Sequence, residues 1–224
     1  MKVKQGSRTI ENAVLLTLAG GYLDAYTYSV RGGVFANAQT GNIIKLGIHM
    51  INGTLQSCMG YLIPIIAFIH GVIVHLSTER WMENRDIHYI RRTALFFEII
   101  TLLIVSRIPV QEELNWIANA LVSFACAIQM EAFPVFANQP IATTVGTGNL
   151  RKAVDFTFRA IADHDSGKMK TAGIYLMIVL IFILGVVIGT VISDRIGVNS
   201  VLIPAGLLIL AQAVITIRTE HHKK

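Results

Sequence analysis

Between residues 171 and 217 the chain carries only two residues charged at neutral pH, the adjacent pair Asp194 and Arg195. The pair separates two apolar runs, 171–193 and 196–217, and each reaches the roughly 20 residues that a bilayer core demands of a helix. Two such runs joined by so short a connection have no place in an ordinary water-soluble domain. Of the 224 residues, 53% are apolar and 15% charged, so lipid is the expected solvent for most of the surface.

Four further segments have span character. Residues 12–30 are apolar apart from Asp24, and 58–78 hold no Asp, Glu, Lys or Arg. Residues 93–106 are short and include Glu98, but reach span length through Ile108, Pro109 and Val110 if Arg107 snorkels to the headgroups. Residues 114–130 end at Glu131 and Pro134, where the missing amide stops a helix. The basic start (Lys2, Lys4, Arg8) resembles a signal peptide, but no small-residue cleavage pattern follows. A retained first helix is expected.

Lys and Arg fix the orientation. With six spans and both termini cytoplasmic, the outside segments hold four basic residues, Arg31, Lys45, Arg107 and Arg195, and the inside segments hold the other 15 of 19. Five or seven spans would break that alternation. The net charge of +5 therefore reads as topology, and without a basic helix interleaved with aromatics no nucleic-acid partner is expected. Cys58 and Cys126 are too few and too far apart for a disulfide framework or a zinc site. Neither a metal nor a cofactor is expected.

The chain also matches itself. Thr40-Gly41-Asn42 recurs as Thr147-Gly148-Asn149, and 16 residues before each threonine stands a carboxylate, Asp24 or Glu131. Phe68-Ile69-His70-Gly71-Val72 recurs as Phe182-Ile183-Leu184-Gly185-Val186, and 27 residues past each glycine stand Glu98 and Gln212. From motif to glycine the halves differ, 31 residues against 38, which the polar insertion around 163–167 absorbs. Three landmarks in register indicate duplication. Because each unit has three spans, the second enters the membrane from the opposite side, an architecture common among secondary transporters, with the site near the midplane. The expected fold is thus one all-α integral membrane domain, 1–224, with repeats at about 10–110 and 113–218. The plainer reading is two similar turns, with Gly41 and Gly148 chosen for backbone freedom. Yet each motif precedes an amphipathic segment, 43–50 or 150–161, which predicts short or broken helices capped by Thr or Asn, their free amides facing a ligand. Irregular backbone near a bilayer needs protein or a water-filled cavity to satisfy it.

The run Gly20-Gly21-Tyr22-Leu23-Asp24-Ala25-Tyr26, followed by Gly32-Gly33-Val34-Phe35-Ala36-Asn37-Ala38-Gln39-Thr40-Gly41-Asn42, resembles the signature of the YoaK-like bacterial membrane proteins, and the likeness extends over nearly the whole chain. The resemblance implies a multi-pass protein of the bacterial inner membrane. It implies no substrate, because the family's domain is of unknown function.

Asp24, Glu98 and Glu131 are the carboxylates within or at the edge of apolar spans, and a charge there costs a few kcal/mol on insertion scales. Each is a functional candidate. The plainer alternative is a structural hydrogen bond, or a pairing of Asp24 with a base such as Arg31. His70 and His75, five positions apart, diverge around their helix and cannot chelate one metal; a packed, hydrogen-bonded His70 is expected. Asp163-His164-Asp165 and His221-His222 read as solvated loop and tail. Gly185 and Gly189 let another helix approach closely, within the chain or in a homo-oligomer, and Pro64 and Pro204 are expected to kink their spans.

The leading functional expectation is a small-solute transporter or channel. Asp24, Thr40, Gly41, Asn42, Glu98, Glu131, Thr147, Gly148 and Asn149 form its substrate or ion site. In that site Asp24 and Glu131 bind a proton or cation, and helix N-termini favour an anionic or carbonyl-bearing solute. The alternatives are an intramembrane enzyme working with a carboxylate pair, which lacks the Gly-x-Gly-Asp pattern of membrane aspartyl proteases, and a non-catalytic scaffold. No enzymatic activity is the expectation.

Overall fold

The computed structural model of the protein describes residues 9–82 and 86–221; Lys2, Lys4, Arg8, Arg85, His222, Lys223 and Lys224 lie outside them. Among the described residues the chain is all helical: α1 (Ile10–Val30), α2 (Gln39–Asn52), α3 (Leu55–Trp81), α4 (Ile87–Val105), α5 (Glu112–Ala132), α6 (Gly146–Ala162), α7 (Ser166–Ile196), a 3-10 turn (Gly197–Val201) and α8 (Leu202–His221). Helix starts follow local chemistry. Thr9, Thr54, Asp86 and Asp165 accept first-turn amides of α1, α3, α4 and α7.

The third and sixth long helices depart most from the sequence reading. The third long helix gains its length before Thr93, not beyond Arg107, because Arg91 is buried and donates from Nε to the Ala132 carbonyl, 2.8 Å away, at the end of α5. A guanidinium there satisfies a carbonyl that the ending helix leaves unpaired. The last helix begins at Leu202 because Gly197, at φ +56°, breaks the chain into a 3-10 turn. Pro204 consequently falls in the first turn of α8, where the amide it lacks has no intrahelical acceptor anyway. It kinks nothing.

Helix α1 packs on α7 and α8, and α5 packs on α3 and α4; α2 lies on α3, α6 on α7, and α4 meets α8. Exchanging α1 with α5, α2 with α6, α3 with α7 and α4 with α8 turns each of these pairings into another of the set. The contacts depend on glycine. A Cβ on Gly185 would strike the Leu18 carbonyl, and one on Gly189 would lie 2.9 Å from both the Tyr22 carbonyl and the Ala25 Cβ. The partner of this small-residue face is therefore α1 of the same chain. Gly71, the counterpart of Gly185, sits likewise against α5, its Cβ position 2.5 Å from the Phe124 carbonyl.

Among the described residues, two stretches are long and apolar enough to cross a membrane: Leu55–Trp81, which is α3, and Ser166–Ile217, which spans α7 and α8. Only 11% and 22% of their most apolar windows are buried, so these side chains face outward. The core helix of a soluble protein would do the reverse. Helices α1 and α5 are less apolar and more enclosed, with buried Asn12, Thr17 and Asp24 on one and Asn119, Ser123 and Gln129 on the other.

Leucine at Gly185 or Gly71 should lower stability by roughly 1–3 kcal/mol or prevent folding through overpacking. Leucine at Gly206, where an added Cβ meets nothing within 4 Å, should be tolerated. Thermal unfolding of the purified variants checks the contrast.

Candidate functional site

The backbone between α1 and α2 is irregular, and side chains satisfy it. Four consecutive amides are accepted in turn: Phe35 N by Asn42 Oδ1 at 2.9 Å, Ala36 N by Thr27 Oγ1 at 3.1 Å, and Asn37 N and Ala38 N by Asp24 Oδ1 at 2.7 and 3.4 Å. The Asn42 amide nitrogen donates to the Phe35 carbonyl, and that of Asn37 to the Gly20 carbonyl. Asp24 thus holds the start of α2 against α1. The partners of its Oδ1 are backbone amides. Arg31 is engaged elsewhere, donating to the carbonyls of Val105, Ile108 and Pro109, to Asn115 Oδ1 and to the Tyr26 hydroxyl.

The second half repeats the device in reduced form. Asn149 Nδ2 donates to the Ala142 carbonyl, seven residues back, as Asn42 does to Phe35. The expectation that Thr or Asn of the motifs caps these helices is corrected. The caps are Ala38 and Val145, without side-chain bonds, while Thr40 and Thr147 are second helical residues and Asn42 and Asn149 fourth. From there each asparagine clamps the preceding loop, which leaves the first-turn amides uncapped by side chains.

Those two helix starts line one cavity of about 550 Å³, together with Asp24. Its wall contains Asn37 and Thr144, Ala38 and Val145, Gln39 and Gly146, Thr40 and Thr147, each pair separated by the same 107 positions as Asp24 and Glu131. Phe68 and Phe182, partners in the second sequence match, also line it. Asn42 and Asn149 are buried in their clamps, and Gly41 and Gly148 do not line the wall.

Glu131 does not reach this cavity. It is half-buried at the end of α5, and its electrostatic neighbour is His75. Helix α5 unwinds immediately after it, whereas α1 runs on past Asp24, so equal sequence positions face different surroundings. Glu98 is fully buried beside a smaller cavity of about 150 Å³ that His75 also lines. With its amide turned nitrogen-first, Gln129 donates to both Glu98 oxygens, at 2.9 and 3.1 Å. Sequence reading missed Gln129, which sits in an ordinary-looking apolar run, and Cys126, whose thiol adjoins Asn37 and lies in electrostatic range of both Asp24 and Glu98.

His70 is exposed, its Nδ1 3.0 Å from the Ile66 carbonyl of its own helix; it is hydrogen-bonded but not packed. In the 163–167 turn, Asp163 pairs with Lys168, whose ammonium holds that carboxyl below its ordinary value while its own pKa rises. Asp165 caps α7 through the amides of Gly167 and Lys168.

The fold and site define a class: an all-helical protein with outward-facing apolar helices and two helix starts, without side-chain caps, meeting at one half-open cavity. The family model described as "Protein of unknown function (DUF1275)" matches residues 12–214, and the chain belongs to that family. No curated protein and no solved structure matches it.

Asn42→Asp keeps the acceptor for Phe35 N but loses both donations, and Asn149→Asp loses its donations to Ala142 and Val145. Each variant should be about 1–3 kcal/mol less stable, measured by thermal unfolding against the parent protein.

Proposed function

We propose that the protein is a small-solute transporter of the bacterial inner membrane, built from two inverted three-helix repeats with both termini cytoplasmic. In this reading α1, α3, α4, α5, α7 and α8 are the spans. Helices α2 and α6 are broken elements that enter from opposite sides and bring their starts to the central cavity. Asp24 binds the proton or cation that couples transport, and Thr40 and Thr147 contact the solute.

One observation carries the reading: matched positions of the two halves, including the first residues of α2 and α6, line a single cavity with a carboxylate on its wall. Transporters of inverted-repeat design place their sites in such a setting, and about 550 Å³ is within the range of small-molecule sites. The exchange symmetry of the helix contacts and the outward apolar faces of α3, α7 and α8 support the membrane arrangement. A two-carboxylate enzyme draws less support, since Glu131 does not line the cavity of Asp24, and a scaffold would have no use for the cavity.

The topology is checked by single cysteines in a chain with Cys58 and Cys126 replaced by Ala. Gly53→Cys should react with an impermeant maleimide from the outside and Asp163→Cys only after the membrane is opened. Reaction of both from one side rejects inverted repeats.

Function is checked in proteoliposomes by solute accumulation under an imposed pH gradient. Asp24→Asn retains Oδ1 for the amides of Asn37 and Ala38 and removes the charge, so the fold should survive while coupled uptake falls at least about tenfold. Thr147→Trp should block uptake by filling the cavity, and Glu131→Gln should leave it near the parent rate. Undiminished coupling in Asp24→Asn would remove the role given to that carboxylate.

A further inference from the structure

Groups suited to a cation line two cavities, the central one and a second, that share one lysine as a neighbour. This second cavity, of about 620 Å³, is lined by Glu112, Glu113, His49 and Tyr61, while Tyr28, Phe35 and Asp24 line the central one. Between them stands Lys45. Its Nζ lies 4.4 Å from the ring centroid of Tyr28, 5.1 Å from that of Phe35 and 5.6 Å from that of Tyr61, and it donates to the Gly33 carbonyl. All three rings are within the reach of a cation–π contact.

The cage is braced independently of the lysine. Tyr28 and Phe35 stack with centroids 5.1 Å apart, and His49 holds Tyr61 at 5.0 Å. Gly33 takes φ +76°, a conformation glycine favours, and so presents its carbonyl to the ammonium. Three rings and a carbonyl oxygen surround the ammonium, an arrangement suited to a cation. Arg31, the cation on the wall of the second cavity, has its donors taken up by carbonyls, Asn115 and Tyr26. At the central cavity the amides of Asn37 and Ala38 are already accepted by Asp24, which weakens the case for an anionic solute there.

We propose that Tyr28, Phe35, Tyr61 and the Gly33 carbonyl form a binding site for a protonated primary amine, occupied in this form by Lys45 as a tethered surrogate. A small alkylammonium solute arriving past Glu112 and Glu113 replaces Lys45 on the rings and moves on to Asp24. The passage rests on the transport reading above; the site itself does not.

Replacing Lys45 by Ala leaves room for the chain from Cγ to Nζ, which is n-propylammonium. Millimolar n-propylammonium chloride should raise the unfolding temperature of full-length Lys45→Ala by several degrees, shift the parent protein less because Lys45 competes for the rings, and have no effect once Tyr61→Leu is added. A folded Lys45→Ala that gains nothing, or an equal gain in the Tyr61→Leu double variant, overturns the site. A second pair needs no vacancy: Lys45→Arg keeps a cation on the rings, while Lys45→Met supplies a neutral chain of similar reach. Equal stability of these two overturns the site as well. If propylammonium binds Lys45→Ala but the parent protein accumulates no labelled alkylamine in proteoliposomes, the ammonium site stands and the transport reading falls.

Discussion

Backbone that leaves a helix near the middle of an apolar protein must find every hydrogen bond inside the molecule, and the remaining features of the site follow from how this chain meets that demand. Four amides in a row, from Phe35 to Ala38, are accepted by Asn42, Thr27 and Asp24. Each acceptor is a buried polar group that would be expensive alone. Together they are mutually satisfied. The network ties the start of α2 to α1 and so puts a helix terminus, a carboxylate and a cavity in one place.

Glycine supplies the other condition. Close approach of α1 to α7 and of α3 to α5 requires bare backbone at Gly185, Gly189 and Gly71, since a methyl group there would meet a carbonyl oxygen. Two tight pairs related by exchange of the halves leave the central space to be lined by the less regular segments. Large apolar residues then point outward, where lipid is their expected neighbour.

Much of this was legible in the sequence, for identifiable reasons. Outward-facing runs such as 58–78 are apolar throughout, so α3 and α7 were visible with ends out by a few residues. The Thr-Gly-Asn repeat located α2 and α6, although its residues stand inside the first turns and not in the irregular backbone before them. Less legible was what each residue of the motif does. Asn42 reads as a ligand for solute or as a cap with equal ease, and only its distance to Phe35 shows a clamp. The start of α4 was missed because Arg91 looks like a loop residue until the α5 terminus it serves is in view.

The amino-acid order by itself determined the helical class, the apolar exterior and the doubled pattern, because these depend on local composition and on spacing along one chain. Only the tertiary structure decided which carboxylate meets the cavity. Asp24 and Glu131 occupy matching sequence positions, but α1 continues past the first while α5 unwinds beyond the second, so one faces inward and the other turns to His75. The aromatic cage around Lys45 is likewise assembled from α1, a loop, α2 and α3, and an encounter of four such segments is fixed by packing, which no linear spacing records.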